Sequence, residues 1–132
     1  MSKRIALVGH CGPDSSYLRM AVMQAAKGAQ IFMADDDSEL KDVLEEGVDL
    51  ILFNRELGYG FQDKMGVDAI KRLRAQNPNQ KMMLVSNYAE AQAQATANGA
   101  LPGFGKREIG SPRVTELLRT ALAEAVARAS RP

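Results

Sequence analysis

A chain of 132 residues has the length of one ordinary domain, and its 45% hydrophobic content is enough for a core that needs neither metal nor disulfide. The 17 Lys and Arg residues against 16 Asp and Glu leave a formal charge of +1, which excludes any global electrostatic case for binding nucleic acid or a membrane surface. With Cys11 as the single cysteine, an intramolecular disulfide is excluded as well.

The N-terminus lacks a long apolar stretch or a cleavage site, as expected of a cytoplasmic protein, and no apolar run approaches the roughly 18 residues of a membrane span. Ile5 to Val8 is continuously apolar and reads as a first strand buried on both faces. A helix over about Asp14 to Lys27 ends at Gly28. Ala29 to Ala34 is a less apolar second strand, suited to a sheet edge. Asp36 and Glu39 form a capping-box-like pair ahead of Leu40, Val43 and Leu44, and Gly47 stops that second helix. Leu50 to Phe53 is the third strand. The third helix, about Lys64 to Gln76, turns Val67, Ile70 and Leu73 inward and is broken at Asn77-Pro78. Met82 to Val85 is the fourth strand, followed by an alanine-rich helix from about Glu90 to Asn98 that closes at Gly99. Leu101 to Phe104 is expected as a fifth, edge strand, because Pro102 cannot donate to a ladder. Ser111-Pro112 opens the last helix, where Val114, Leu117, Leu118, Ala121, Leu122 and Ala125 fall on one face.

Strands alternating with helices predict an α/β fold over residues 1–132. It is a doubly wound three-layer sandwich with five helices and a five-stranded parallel sheet of order 2-1-3-4-5. Ligands of such sheets bind beyond the carboxyl ends of the strands, where strands 1 and 3 send their crossovers to opposite faces. That rule selects Gly9, His10 and Cys11, then Asn54, Arg55 and Glu56, then Ser86 and Asn87, and finally Gly105 and Lys106.

The segments Val48 to Asn54, Met65 to Arg74, Met83 to Glu90 and Gly99 to Lys106 resemble a response-regulator receiver domain, and the similarity in spacing covers nearly the whole chain. The resemblance implies an aspartate phosphoacceptor ending strand 3, a magnesium-binding acidic pair after strand 1, a Ser or Thr after strand 4 and a lysine after strand 5. Ser86 and Lys106 match. Asn54 stands at the acceptor position, where an amide offers no carboxylate oxygen to attack a phosphohistidine. Gly9 and His10 stand where the acidic pair belongs, and the nearest carboxylates are Asp14 and Glu56. No cofactor or metal is therefore expected. Lys106 is followed by Arg107-Glu108 rather than the family's proline, Phe104 lies two residues before it with Gly103 at the usual aromatic position, and His10 to Asp14 reads as a lengthened loop.

On these grounds the chain is expected to be a stand-alone, non-enzymatic pseudo-receiver, acting in signal transduction by phosphorylation-independent protein–protein interaction. The resemblance points to the face of helix 4, strand 5 and helix 5 for a protein partner or a homodimer, with Arg113, Glu116, Arg119 and Glu124 as polar candidates. Nucleic-acid and membrane partners are not expected. One alternative is a small-anion or redox sensor, in which Lys106, His10 and Arg55 make the vestigial pocket positive or Cys11, before a helix N-terminus, is a reactive thiol. Its counterpart has Lys106 bonded to the Asn54 carbonyl and Cys11 buried and inert. A further alternative is a conventional phosphorelay receiver. His10 and Cys11 alone fall short of a zinc site, and Ser86 has no general base or nucleophile elbow beside it. Asp35 to Asp37 reads as helix capping, Lys71, Arg72 and Arg74 as a solvated basic edge, Met82 and Met83 as core, and Met20 and Met23 as flanking an exposed surface.

Overall fold

The apolar runs become the middle of a parallel sheet. The computed structural model describes residues 2–129, and among them the strands are β1 (Arg4–Val8), β2 (Gln30–Ala34), β3 (Leu50–Asn54) and β4 (Met82–Val85), in the order β2-β1-β3-β4. In β1, β3 and β4, every residue from Ile5 to Val8, Leu50 to Phe53 and Met82 to Val85 is buried, as continuous runs covered on both faces require. The helices are α1 (Gly12–Ala25), α2 (Asp37–Glu46), α3 (Gly66–Gln76), α4 (Ala89–Ala97) and α5 (Pro112–Ala129). The side chains of residues 124–129 lie outside the described residues, and with them the expected roles of Glu124 and Ala125.

Strand alternation sorts the core into two layers. Ile5, Leu7, Leu50, Leu52, Met83 and Val85 point toward Leu18 and Val22 of α1 and Val114, Leu118 and Leu122 of α5. Ala6, Val8, Ile51, Phe53, Met82 and Leu84 point toward Leu40 and Val43 of α2, Ile70 and Leu73 of α3, and Ala95 of α4. Met20 and Met23 are exposed on the outer side of α1. Among the described residues no helix is long and apolar enough to cross a membrane.

The expected fifth strand is not a strand. Residues 101–104 run beside β4 but form only an isolated bridge between Val85 and Phe104, so the sheet has four strands rather than five. Leu101 N–H donates to the Met82 carbonyl at 2.8 Å and Ser86 N–H to the Phe104 carbonyl at 2.9 Å. Between these bonds the ladder is interrupted. Pro102 has no N–H, and the Leu84 carbonyl also accepts from Nε2 of Gln92 at 2.8 Å. The segment lies so close that a Cβ on Gly103 would stand 2.1 Å from the Leu84 carbonyl oxygen, which only glycine tolerates.

Helix ends follow local chemistry. Asp36 caps α2 by accepting from Glu39 N–H at 2.8 Å, and Glu39 reaches back to the N–H of Asp35 at 2.7 Å. Replacing Asp36 with alanine is expected to cost about 1 kcal/mol, read as a lower urea midpoint at unchanged slope. Asp37 accepts from Gln62 N–H, so the run of aspartates joins loops. Cys11 is the N-cap of α1 and Pro13 lies in its first turn, so the lengthened loop expected from His10 to Asp14 is largely helix. Nor is the basic edge of α3 merely solvated: Arg72 pairs with Asp63 at 2.8 Å, and Arg74 donates to the Pro78 carbonyl.

Candidate functional site

Three loops meet at the carboxyl edge of the sheet. Gly9, with φ of +76°, turns the chain out of β1, and Leu57 packs so tightly on it that an added Cβ would lie 2.6 Å from Leu57 Cδ2. His10 follows, only 6% exposed, and its Nε2–H donates to the Leu52 carbonyl at 2.8 Å, while Nδ1 has no partner among the described residues. Burial is the main cause that lowers its pKa from 6.5 to about 4; the Leu52 bond and Asp14 oppose this and the Lys106 charge adds to it. His10 is therefore neutral at pH 7 and brings no charge to the pocket.

Asn54, the last residue of β3, points its amide nitrogen at two backbone carbonyls, Gly9 at 3.1 Å and Glu56 at 2.9 Å. It fastens the end of β1 to the loop after β3. Its Oδ1 is buried and has no partner among the described residues.

Lys106 does not reach the Asn54 carbonyl. Its Nζ lies 3.0 Å from Oδ2 of Asp14, with both side chains partly covered. Desolvation alone would raise the Asp14 carboxyl, but hydrogen bonds from Lys106 and Cys11, with the charge of Lys106 and, once acid has protonated the ring, that of His10, hold it below its usual value. Cys11 itself is exposed rather than buried.

Arg55 is held by Glu56 at 2.8 Å, and its guanidinium carbon lies 4.5 Å from the ring centroid of Tyr88. Ser86 is buried, and its hydroxyl accepts the Tyr88 N–H at 3.1 Å. On the far side, Lys106 to Glu108 form a 3-10 turn in which Glu108 accepts the Gly105 N–H at 2.8 Å, and Asn87 accepts the Arg107 N–H at 3.1 Å. Of the three groups expected to make the pocket positive, one is neutral and two are ion-paired. The geometry offers no anion cradle.

No family model and no curated protein sequence matches this chain. Among solved structures, the signal receiver domain of an HD domain-containing protein from Pseudomonas fluorescens Pf-5 superposes with a TM-score of 0.79 at 18% identity, over 99% of this chain and 94% of that one. The fold is that of receiver domains. A CheY-like response regulator receiver domain protein from Methanospirillum hungatei JF-1 gives a TM-score of 0.72 at 20% identity, over 97% and 99% of the two chains. NtrX from Brucella abortus gives 0.79 at 18% identity over 98% of this chain, which spans 28% of the NtrX chain.

The receiver fold carries an expectation of magnesium, and the residues present do not fit it. The ion wants several anionic oxygens in octahedral array, whereas Asp14 is engaged by Lys106, Glu56 by Arg55, and Asn54 presents N–H groups to carbonyls. Among the described residues no three His, Cys, Asp or Glu side chains are placed to share a metal ion.

Two contributors escaped the sequence reading, and a third was placed without its role. Gln92 of α4 directs Nε2 at the carbonyls of Leu84, Ser86 and Phe104, at 2.8, 3.1 and 3.2 Å. Asn87 was placed at the site but not as the acceptor that ties two loops, and Tyr88 was not singled out at all. The one available signal was for Gln92: it lies three residues before Ala95, on the inward side of an alanine-rich helix.

Proposed function

We propose that this chain is a receiver-fold signalling module that works without a phosphoryl group and without catalysis, by association with a protein partner. The observation that carries the reading is the Asn54 amide donating to the Gly9 and Glu56 carbonyls, a role that a free acceptor carboxylate cannot fill. The Lys106–Asp14 pair supports it, because the lysine that would meet a phosphoryl oxygen already has an anion.

The docking face is α4, residues 101–104 and α5. There an apolar recess of about 340 Å³ is floored by Met83, Leu101, Pro102 and Leu117 and edged by Arg113 and Glu116. It suits the apolar anchor of a protein partner, with charged groups of both signs at the rim. Nucleic acid and membrane are not partners in this reading.

Acetyl phosphate or beryllofluoride with magnesium tests it. No added mass on the intact protein and no amide shifts at Asn54, Ser86 and Lys106 are expected. A phosphoryl adduct, or saturable magnesium-dependent shifts, would restore a conventional phosphorelay role.

A further inference from the structure

α4 is weakly anchored by apolar burial. Of its nine residues only Ala95 is fully buried, whereas α5 buries Val114, Leu118, Ala121 and Leu122. Burying one methyl group contributes little against the entropy of holding a helix in place. Side-chain polar contacts therefore fix its position. From beneath, the Gln92 amide grips the carbonyls of Leu84, Ser86 and Phe104. At the front, the N-cap Tyr88 makes no side-chain capping bond, and its ring lies against the Arg55 guanidinium.

Arg55 directly follows Asn54, and Tyr88 directly precedes α4. Their stack thus runs from the end of β3 to the start of the helix, between the loops that carry Asn54 and Ser86. Glu56 orients the guanidinium at 2.8 Å. Arg55 keeps 30% of its side chain exposed and Tyr88 is 61% exposed, so both members are reachable from solvent.

We propose that Arg55 and Tyr88 form a strap that sets the position of the N-terminal turn of α4 and links the end of β3 to the docking face. The proposal rests on the reading of that face given above and names the device that regulates it. Closed, the strap holds α4 in one place with no ligand in the pocket. Open, it leaves the helix on the Gln92 grip alone, and the surface offered by α4 changes.

Amide hydrogen exchange on the isolated chain, followed by mass spectrometry, tests the strap. Arg55→Gln and Tyr88→Leu should each raise exchange across residues 88–97 by roughly two- to fivefold, the opening expected on losing an exposed cation–π contact. The double variant should add nothing further, since both singles break one contact. Tyr88→Phe keeps the ring and should behave as the parent chain, and the amides of β1 and β3 should not change in any variant. Unchanged α4 exchange in Arg55→Gln, additive effects in the double variant, or a uniform rise through the sheet would each overturn the proposal. No phosphoryl donor or partner enters this measurement. Failure of the strap therefore leaves the Asn54 reading standing, and a phosphoryl adduct would sink that reading while leaving the exchange result intact.

Discussion

Asn54→Asp is expected to weaken the fold by about 1–3 kcal/mol and to remain without a phosphoryl group after incubation with a donor. The substitution supplies the carboxylate that a receiver uses, yet it removes two N–H groups that satisfy the Gly9 and Glu56 carbonyls at 3.1 and 2.9 Å. An ionised carboxylate can only accept hydrogen bonds, so it would face two carbonyl oxygens and repel both. Asn54→Ala removes the same donors without adding a charge and should be the less damaging change. Lys106 cannot easily turn to the new carboxylate, because it would leave Asp14 uncompensated. Urea titration and intact mass read the two halves of the expectation. Equal stability of the aspartate variant would show that the amide is not a needed donor, and a mass increase with magnesium present would show that the remaining machinery suffices.

The fold was legible wherever burial alone dictates sequence. A strand covered on both faces has to be apolar throughout, so β1, β3 and β4 stand out as continuous runs and emerge within one residue of their expected ends. Residues 101–104 are a weaker, less apolar run that still suggests an edge strand, but a ladder needs N–H groups in register. With Pro102 lacking one and Gly103 pressed against the Leu84 carbonyl, a single bridge is what remains. The place of the site was legible for a topological reason, since the ends of β1 and β3 define it before any side chain is considered. Its electrostatics were not. Whether His10 points to solvent or to the Leu52 carbonyl, and whether Lys106 finds Asn54 or Asp14, depends on the path of α1, which starts at Gly12 instead of Asp14 and so brings Asp14 into reach of the lysine. Cys11 illustrates the same limit. As the N-cap of that helix it stays exposed, where composition alone favoured a buried thiol.

Lowering the pH from 7 to about 4.5 is expected to cost the chain about 2–3 kcal/mol of stability, chiefly through His10. The unfolded chain binds a proton at the ordinary histidine value of 6.5, and the folded chain resists it until about 4 because burial disfavours the charged ring. Between those values the unfolded state carries more protons, so stability rises with pH and is lost as pH falls. His10 is the only histidine in the chain, so no other side chain titrates near 6.5 in the unfolded state. Asp14 acts in the same direction but lower. Its carboxyl is held below 3.8 in the folded state, so its contribution is present above that value and is lost as pH falls through the depressed one. Two acid phases should therefore separate. His10→Gln, whose amide can still donate to the Leu52 carbonyl, should flatten the upper phase and leave most of the lower one, since the His10 charge is the smallest of the causes that depress Asp14, whereas Lys106→Ala should weaken the lower phase by removing the cation that faces Asp14. Urea midpoints measured across this range, with the His10 ring proton followed by NMR, give the answer. A ring that titrates near 6.5 in the folded chain, or an upper phase that survives His10→Gln, would mean that this histidine is not a buried neutral group held on the Leu52 carbonyl.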